Sequence, residues 1–254
     1  MSATLTARPF TPADVELLAI CPKRLWLHRH SVTDLHPGHP ERALIQTLTR
    51  AQFPEALTIS ASAGTKQAFD ETRRLLILST DRPLLGASFI ADETIATADM
   101  LLPAGEDIWT LVEVLPSLRI RERTLERLAL KTWVLERYGI DLAGLILRTI
   151  NPRFRLERTG DYRSLFTDQH LHARTEALTT AIPGLVQDAC AILAGPEPKY
   201  AMGAHCKAPT PCPFVKRCSA SSDGPEWPVT ILPDGGWKKW VRKGGPISSR
   251  LTKA

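Results

Sequence analysis

Residues 97–117 read TADMLLPAGEDIWTLVEVLPS, and the fold turns on them. Two short apolar runs, Ile95 to Leu102 and Trp109 to Leu115, flank a Pro, Gly, Glu and Asp stretch that suits a turn between strands. A third run, Leu85 to Ile90, precedes them and predicts a further strand. Each of the two quoted runs carries one acid. Asp99 follows an apolar–polar alternation and reads equally well as a strand-edge residue. Glu113 sits inside LVEVL, a run expected to be buried. A lone buried carboxylate is unfavourable unless a metal ion or a cation stands beside it. Glu113 therefore predicts either a retained metal site or an ion pair.

Working outward, residues 121–138 form a helical pattern ended by Gly139, a suitable C-cap. Leu142 to Ile150 predicts another strand, and Asp168 is a candidate cap for a long helix reaching residue 194. Towards the N-terminus, Thr11-Pro12 is a helix start, and Pro22 kinks or restarts that helix. Further helices are expected over 41–53 and 64–78. Helices, then a strand meander, then helix and strand again, predict an α/β protein with a central mixed β-sheet flanked by helices. The expected organisation is an N-terminal helical region (1–80), a core (81–195), a cysteine segment (196–222) and a basic tail (223–254).

The 254 residues are 43% hydrophobic and 23% charged, enough for a substantial core in an ordinary globular chain. No stretch approaches about 18 uninterrupted apolar residues, so no membrane span is expected. The first residues lack a basic start and apolar run, so no secretion signal is expected either, and a cytoplasmic location is the expectation. The net charge of +5 is uneven: residues 238–254 hold Lys238, Lys239, Arg242, Lys243, Arg250 and Lys253 without an acid. Basicity is thus partly a tail property, fit for phosphates or for a protein partner, or simply a solvated end. Arg119 and Arg121 begin a second basic stretch, just before the helix at 121–138.

HCKAPTPCPFVKRC places Cys206, Cys212 and Cys218 at two equal six-residue intervals. Prolines among them exclude a plain helix, and the close pairs usual for zinc are lacking. Three clustered thiolates plus a distant one suit a 4Fe-4S cluster, with Cys21 of CPKRLWL as the natural fourth ligand. Zinc ligation and simple buried thiols are the alternatives. Such a cluster would close nearly the whole chain into a loop and act structurally. Cys190 falls at helical spacing with Leu185, Val186 and Leu193 and is expected in the core.

Taken together, CPKRLWL, Asp99, the strand ending Glu113-Val114, the following helix and the terminal cysteine triplet resemble the PD-(D/E)XK nucleases of the RecB type with an iron–sulfur cluster. The CRISPR adaptation exonucleases belong to that group. A bacterial RecB-like nuclease family is closer still, on HCKAPTPCPFVKRC and NPRFRLERTGDYRSLF, and the likeness covers roughly residues 10–235. The resemblance implies a restriction-endonuclease-like core with a C-terminal iron–sulfur-binding segment. It implies DNA, single-stranded or as duplex ends, as the substrate. It also implies Asp99, Glu113 and the carbonyl of Val114 as ligands of Mg²⁺ or Mn²⁺.

Three departures from that pattern matter. The lysine position is Leu115, which carries no charge. An upstream histidine has no clear counterpart in RALIQTLTRAQFP, where Ala43 or its neighbours fall, with His36 and His39 just before. In relatives the helix after Glu-x-Lys carries a glutamine facing the site; here ALKTWVL puts Lys131 there. Lys131 lies beside the stripe Leu125, Leu128, Thr132 and Leu135, where a long side chain reaches the sheet. It reads either as a catalytic lysine that has migrated or as a snorkelling or DNA-contacting one. Two functions follow: an iron–sulfur DNA nuclease using Asp99, Glu113 and Lys131, or an impaired homologue acting as a DNA-binding or scaffold subunit. A zinc-stabilised interaction module without nucleic acid is a third.

Overall fold

The computed structural model describes residues 9–31, 40–78, 81–118, 120–208 and 211–220. These fall into two compact units, 1–198 and 199–254.

The first unit opens with helices α1 (Pro12–Ile20) and α2 (Pro22–His30), split at Cys21 because each begins with a proline. The Asp14 carboxylate accepts from the Thr11 N–H (2.8 Å) and hydroxyl (2.7 Å), and Arg29 of α2 also reaches it (3.3 Å). Then come α3 (Pro40–Arg50), β1 (Leu57–Thr58), α4 (Lys66–Leu78), β2 (Leu84–Leu85), β3 (Ser88–Ala91), β4 (Thr94–Thr97), β5 (Met100–Gly105) and β6 (Ile108–Leu115). The unit continues with α5 (Glu122–Tyr138), β7 (Asp141–Ile150), β8 (Phe166–His170) and α6 (His172–Ala194).

Six strands form one mixed sheet in the order β1-β2-β5-β6-β7-β8, while β3 and β4 form a separate two-stranded sheet. The β6 and β7 strands run parallel because α5 carries the chain back between them. The molecule is thus α/β with a central mixed sheet flanked by helices, as the order of apolar runs predicts.

Two expected strands are each cut in two. The run at 85–90 breaks at Gly86, whose φ of +76° ends β2 and turns the chain into the second sheet. The run at 95–102 breaks at Asp99, so this acid sits at a bend between β4 and β5 rather than on a strand. The break has a partner: Gly86 N–H donates to the Asp99 carbonyl (3.2 Å), so both chains leave the main sheet at one level.

Asp168 does not cap the long helix. It lies in β8, and α6 starts after Leu171. Its carboxylate instead takes two hydrogen bonds from Arg148 across the β7–β8 ladder (2.8 and 2.7 Å), and that pairing holds residues 166–170 extended. Cys190 is exposed, not core: the buried stripe of α6 is Thr175, Ile182, Val186 and Ala189, and Cys190 falls one residue off it. By length and composition α6 is apolar enough to cross a membrane, yet it packs along that stripe against α5 and β7.

Strand β6 divides the interior. Trp109 and Leu111 join the main core with Leu128, Ala129 and Leu135 of α5, whereas Val112 packs with Leu85 and Met100 in a smaller one near Phe53. Alternation along the strand puts Glu113 on the α5 side and Val114 on the other. The second unit carries a short 3-10 turn, Ala204–Cys206, and α7 (Val215–Ala220).

Candidate active site

The bend at Asp99 and the end of β6 meet because β5 pairs antiparallel with β6, Met100 opposite Val112. Their two acids interlock. The Asp99 N–H donates to Glu113 Oε1 (3.1 Å), and the Val114 N–H donates to Asp99 Oδ2 (2.9 Å). Each carboxylate therefore holds a backbone amide of the other's segment, fixing the two acids side by side on neighbouring segments.

Glu113 is only 2% exposed, and its Oε2 accepts from the ammonium of Lys131, itself 6% exposed on α5. Lys131 Nζ donates also to the Thr97 carbonyl (2.7 Å). Burial pushes the Glu113 carboxyl above its ordinary value of 4.5; Lys131 beside it acts in the opposite direction, and the charge of Asp99 adds to the rise. The ion pair expected from a lone acid in LVEVL is present. Leu115, at the lysine position, packs with the main core.

On the Val114 side, Asp99 faces a cavity of about 190 Å³ lined also by Gln46, Thr49, Arg50, Leu85, Gly86 and Thr97. Gln46 Nε2 donates to Asp99 Oδ1 (3.1 Å). Neither Gln46 nor Arg50 stands out in the sequence, although both lie in RALIQTLTRAQFP, the stretch in which an upstream ligand is sought. The signal available was their separation of four residues, which puts both on one face of an amphipathic helix.

Asp99, Glu113, Val114 and Lys131 are thus brought together. Arg121 lies at the N-cap of α5 and is exposed. Arg119, His36, His39, Lys238, Lys239, Arg242 and Lys243 lie outside the described residues. Among the described residues no three His, Cys, Asp or Glu side chains group as a metal-binding set.

Cys21 caps α2, its sulfur accepting the Arg24 N–H (3.4 Å). In the second unit Cys206, Cys212 and Cys218 are all half-buried. The Cys212 N–H donates to the Cys206 carbonyl (2.9 Å) and the Cys218 N–H to the Phe214 carbonyl (3.0 Å). The first bond closes a loop between Cys206 and Cys212, and the second is the first turn of α7, which carries Cys218.

Compared with protein-family models and with curated proteins, the sequence matches none.

Proposed function

We propose that the chain is an iron–sulfur-containing, metal-dependent DNA nuclease of the RecB-like PD-(D/E)XK type. The observation that carries this reading is the interlock of Asp99 with Glu113 and Val114 beside a cavity, with a lysine ammonium delivered from α5. Two carboxylates and a strand carbonyl suit Mg²⁺ or Mn²⁺, and an ion there would supply Lewis acidity and lower the pKa of an attacking water. The protein's own groups do the rest. Gln46 orients Asp99, and Lys131 lowers the Glu113 carboxyl against the larger rise that burial imposes. Cys21, Cys206, Cys212 and Cys218 would hold the 4Fe-4S cluster; Cys21 caps α2, Cys206 ends a 3-10 turn and Cys218 lies within α7.

One observation favours a second reading, a catalytically impaired homologue that binds DNA or scaffolds a DNA-processing or defence complex. Leu115 is apolar, and the ammonium of Lys131 is engaged by Glu113 and Thr97.

The test is a cleavage assay on anaerobically purified protein with single-stranded and duplex DNA in Mn²⁺ or Mg²⁺. Degradation by wild type, abolished in Asp99→Ala and Glu113→Ala, supports the nuclease. Salt-sensitive DNA binding without cleavage supports the homologue.

A further inference from the structure

One residue lining the cavity beside Asp99, Arg50, has no role so far. Helix α3 places Gln46 and Arg50 one turn apart, and both line the cavity. Between them Thr49 is buried, its hydroxyl donating to the Ile45 carbonyl (2.9 Å), so this turn of the helix is anchored. Arg50 itself is exposed. Among the described residues lining the cavity, Arg50 carries the positive charge and Asp99 the negative one. Lys131 is not in that lining; it is buried against Glu113 and the Thr97 carbonyl. Leu115 offers no charge.

An anion entering the cavity would be repelled by Asp99 unless something compensates at the opposite wall. A guanidinium does so with a fork of donors matched to two oxygens of a phosphate. The space of about 190 Å³ is limited, and suits a phosphate group with part of its sugar rather than a whole nucleotide.

We infer that Arg50 is a phosphate-binding residue, taking the non-bridging oxygens of a phosphodiester that enters the cavity beside Asp99. The positive charge that Leu115 lacks is then supplied from the helix across the cavity. That the phosphate belongs to DNA rests on the proposed function; that the wall binds a phosphate oxyanion does not.

Two arms separate these statements. In the first, inorganic phosphate is titrated into the whole chain with Mg²⁺ present, following the Arg50 side-chain Nε–H resonance, which is assigned by its absence in Arg50→Lys. A saturable shift of that signal is expected, and an unmoved signal overturns the inference. In the second, a labelled single-stranded oligonucleotide is bound with Ca²⁺ in place of Mn²⁺ over a range of salt. Arg50→Ala should weaken binding about tenfold and reduce the salt slope by about one, with Arg50→Lys in between. Arg73→Ala, on the exposed face of α4, should match wild type. Wild-type affinity and slope retained in Arg50→Ala overturn the inference. A phosphate-induced shift with no oligonucleotide binding by wild type supports the anion site and removes the nuclease.

Discussion

Glu113 and Lys131 neutralise one another where β6 meets α5, on the side of the strand turned away from the Asp99 cavity. Their pairing changes the charge of the acid site. Two carboxylates on neighbouring segments repel, and burial separately disfavours the charge of Glu113. A single ammonium brings the trio of Asp99, Glu113 and Lys131 to −1, which is compatible with folding before any divalent ion arrives.

Removing the cation should therefore be costly in a pH-dependent way. Lys131→Met leaves Glu113 buried with no counter-charge, and at neutral pH and above the loss should be about 3–5 kcal/mol. As pH falls Glu113 takes up a proton and the loss shrinks. Urea denaturation of metal-free protein from acid to alkaline pH checks this; a loss independent of pH would mean that packing, not charge, is what Lys131 supplies.

Glu113 itself gives the complementary slope. Its carboxyl is raised above 4.5 in the folded chain, first by burial, against the lowering effect of Lys131. The folded state thus holds the proton to higher pH than the unfolded state. That contribution to stability is fully present below 4.5 and is lost as pH rises through the folded value. Glu113→Gln carries no such proton. Wild type should be the more pH-sensitive of the two, losing stability relative to the variant as pH rises above 4.5. Parallel stability curves for the two proteins would contradict the raised value.

Much of this was legible from local sequence. LVEVL announces a buried strand with one acid, ALKTWVL puts a lysine on the helix edge that meets it, and Gly139 does cap α5, with φ +102°. What was not legible depends on distant partners. Asp168 looks like a cap in sequence, and only Arg148, twenty residues earlier, makes it a strand residue. The apolar runs at 85–90 and 95–102 look continuous, because nothing local says that both chains leave one sheet for another at Gly86 and Asp99. Gln46 gains its meaning from Asp99, 53 residues on.

Gln46 should matter to ion binding more than to folding. Its amide fixes one oxygen of Asp99 while the Val114 N–H fixes the other. Loss of such an outer partner typically weakens metal affinity about 10–100-fold. Mn²⁺ titration of Gln46→Ala, read by electron paramagnetic resonance, should show that drop with an unchanged melting temperature. Unchanged Mn²⁺ affinity would remove Gln46 from the site.

Arg148 should behave as a structural strut. It is 9% exposed, forked onto Asp168 and placed over the rings of Phe53 (5.4 Å) and Phe166 (5.7 Å). Asp168→Ala removes the acceptor of two hydrogen bonds from a buried guanidinium. With Asp168 itself partly exposed to water, about 1–3 kcal/mol of stability should be lost. Arg148→Lys should lose a similar amount, since an ammonium cannot fork or lie flat against the rings. Denaturation midpoints of the two variants test it, and a wild-type midpoint in both would mean that β8 is held by its ladder alone.

The cysteines give the last prediction. If Cys21, Cys206, Cys212 and Cys218 hold a 4Fe-4S cluster, anaerobically purified protein is brown, with broad visible absorbance and iron and sulfide in equal amounts. Alanine at any of the four should bleach that absorbance. Cys190→Ala should keep it, because Cys190 is exposed on α6, off the buried stripe, and its thiol is raised by partial burial rather than drawn towards thiolate. The cluster would join residue 21 to residues 206–218, so its loss should also lower the melting temperature by releasing a loop of nearly the whole chain. A colourless protein that contains zinc and loses it in the Cys206, Cys212 and Cys218 variants would replace the cluster with a zinc site. In that case the resemblance would rest on the acid pair, the following helix and NPRFRLERTGDYRSLF.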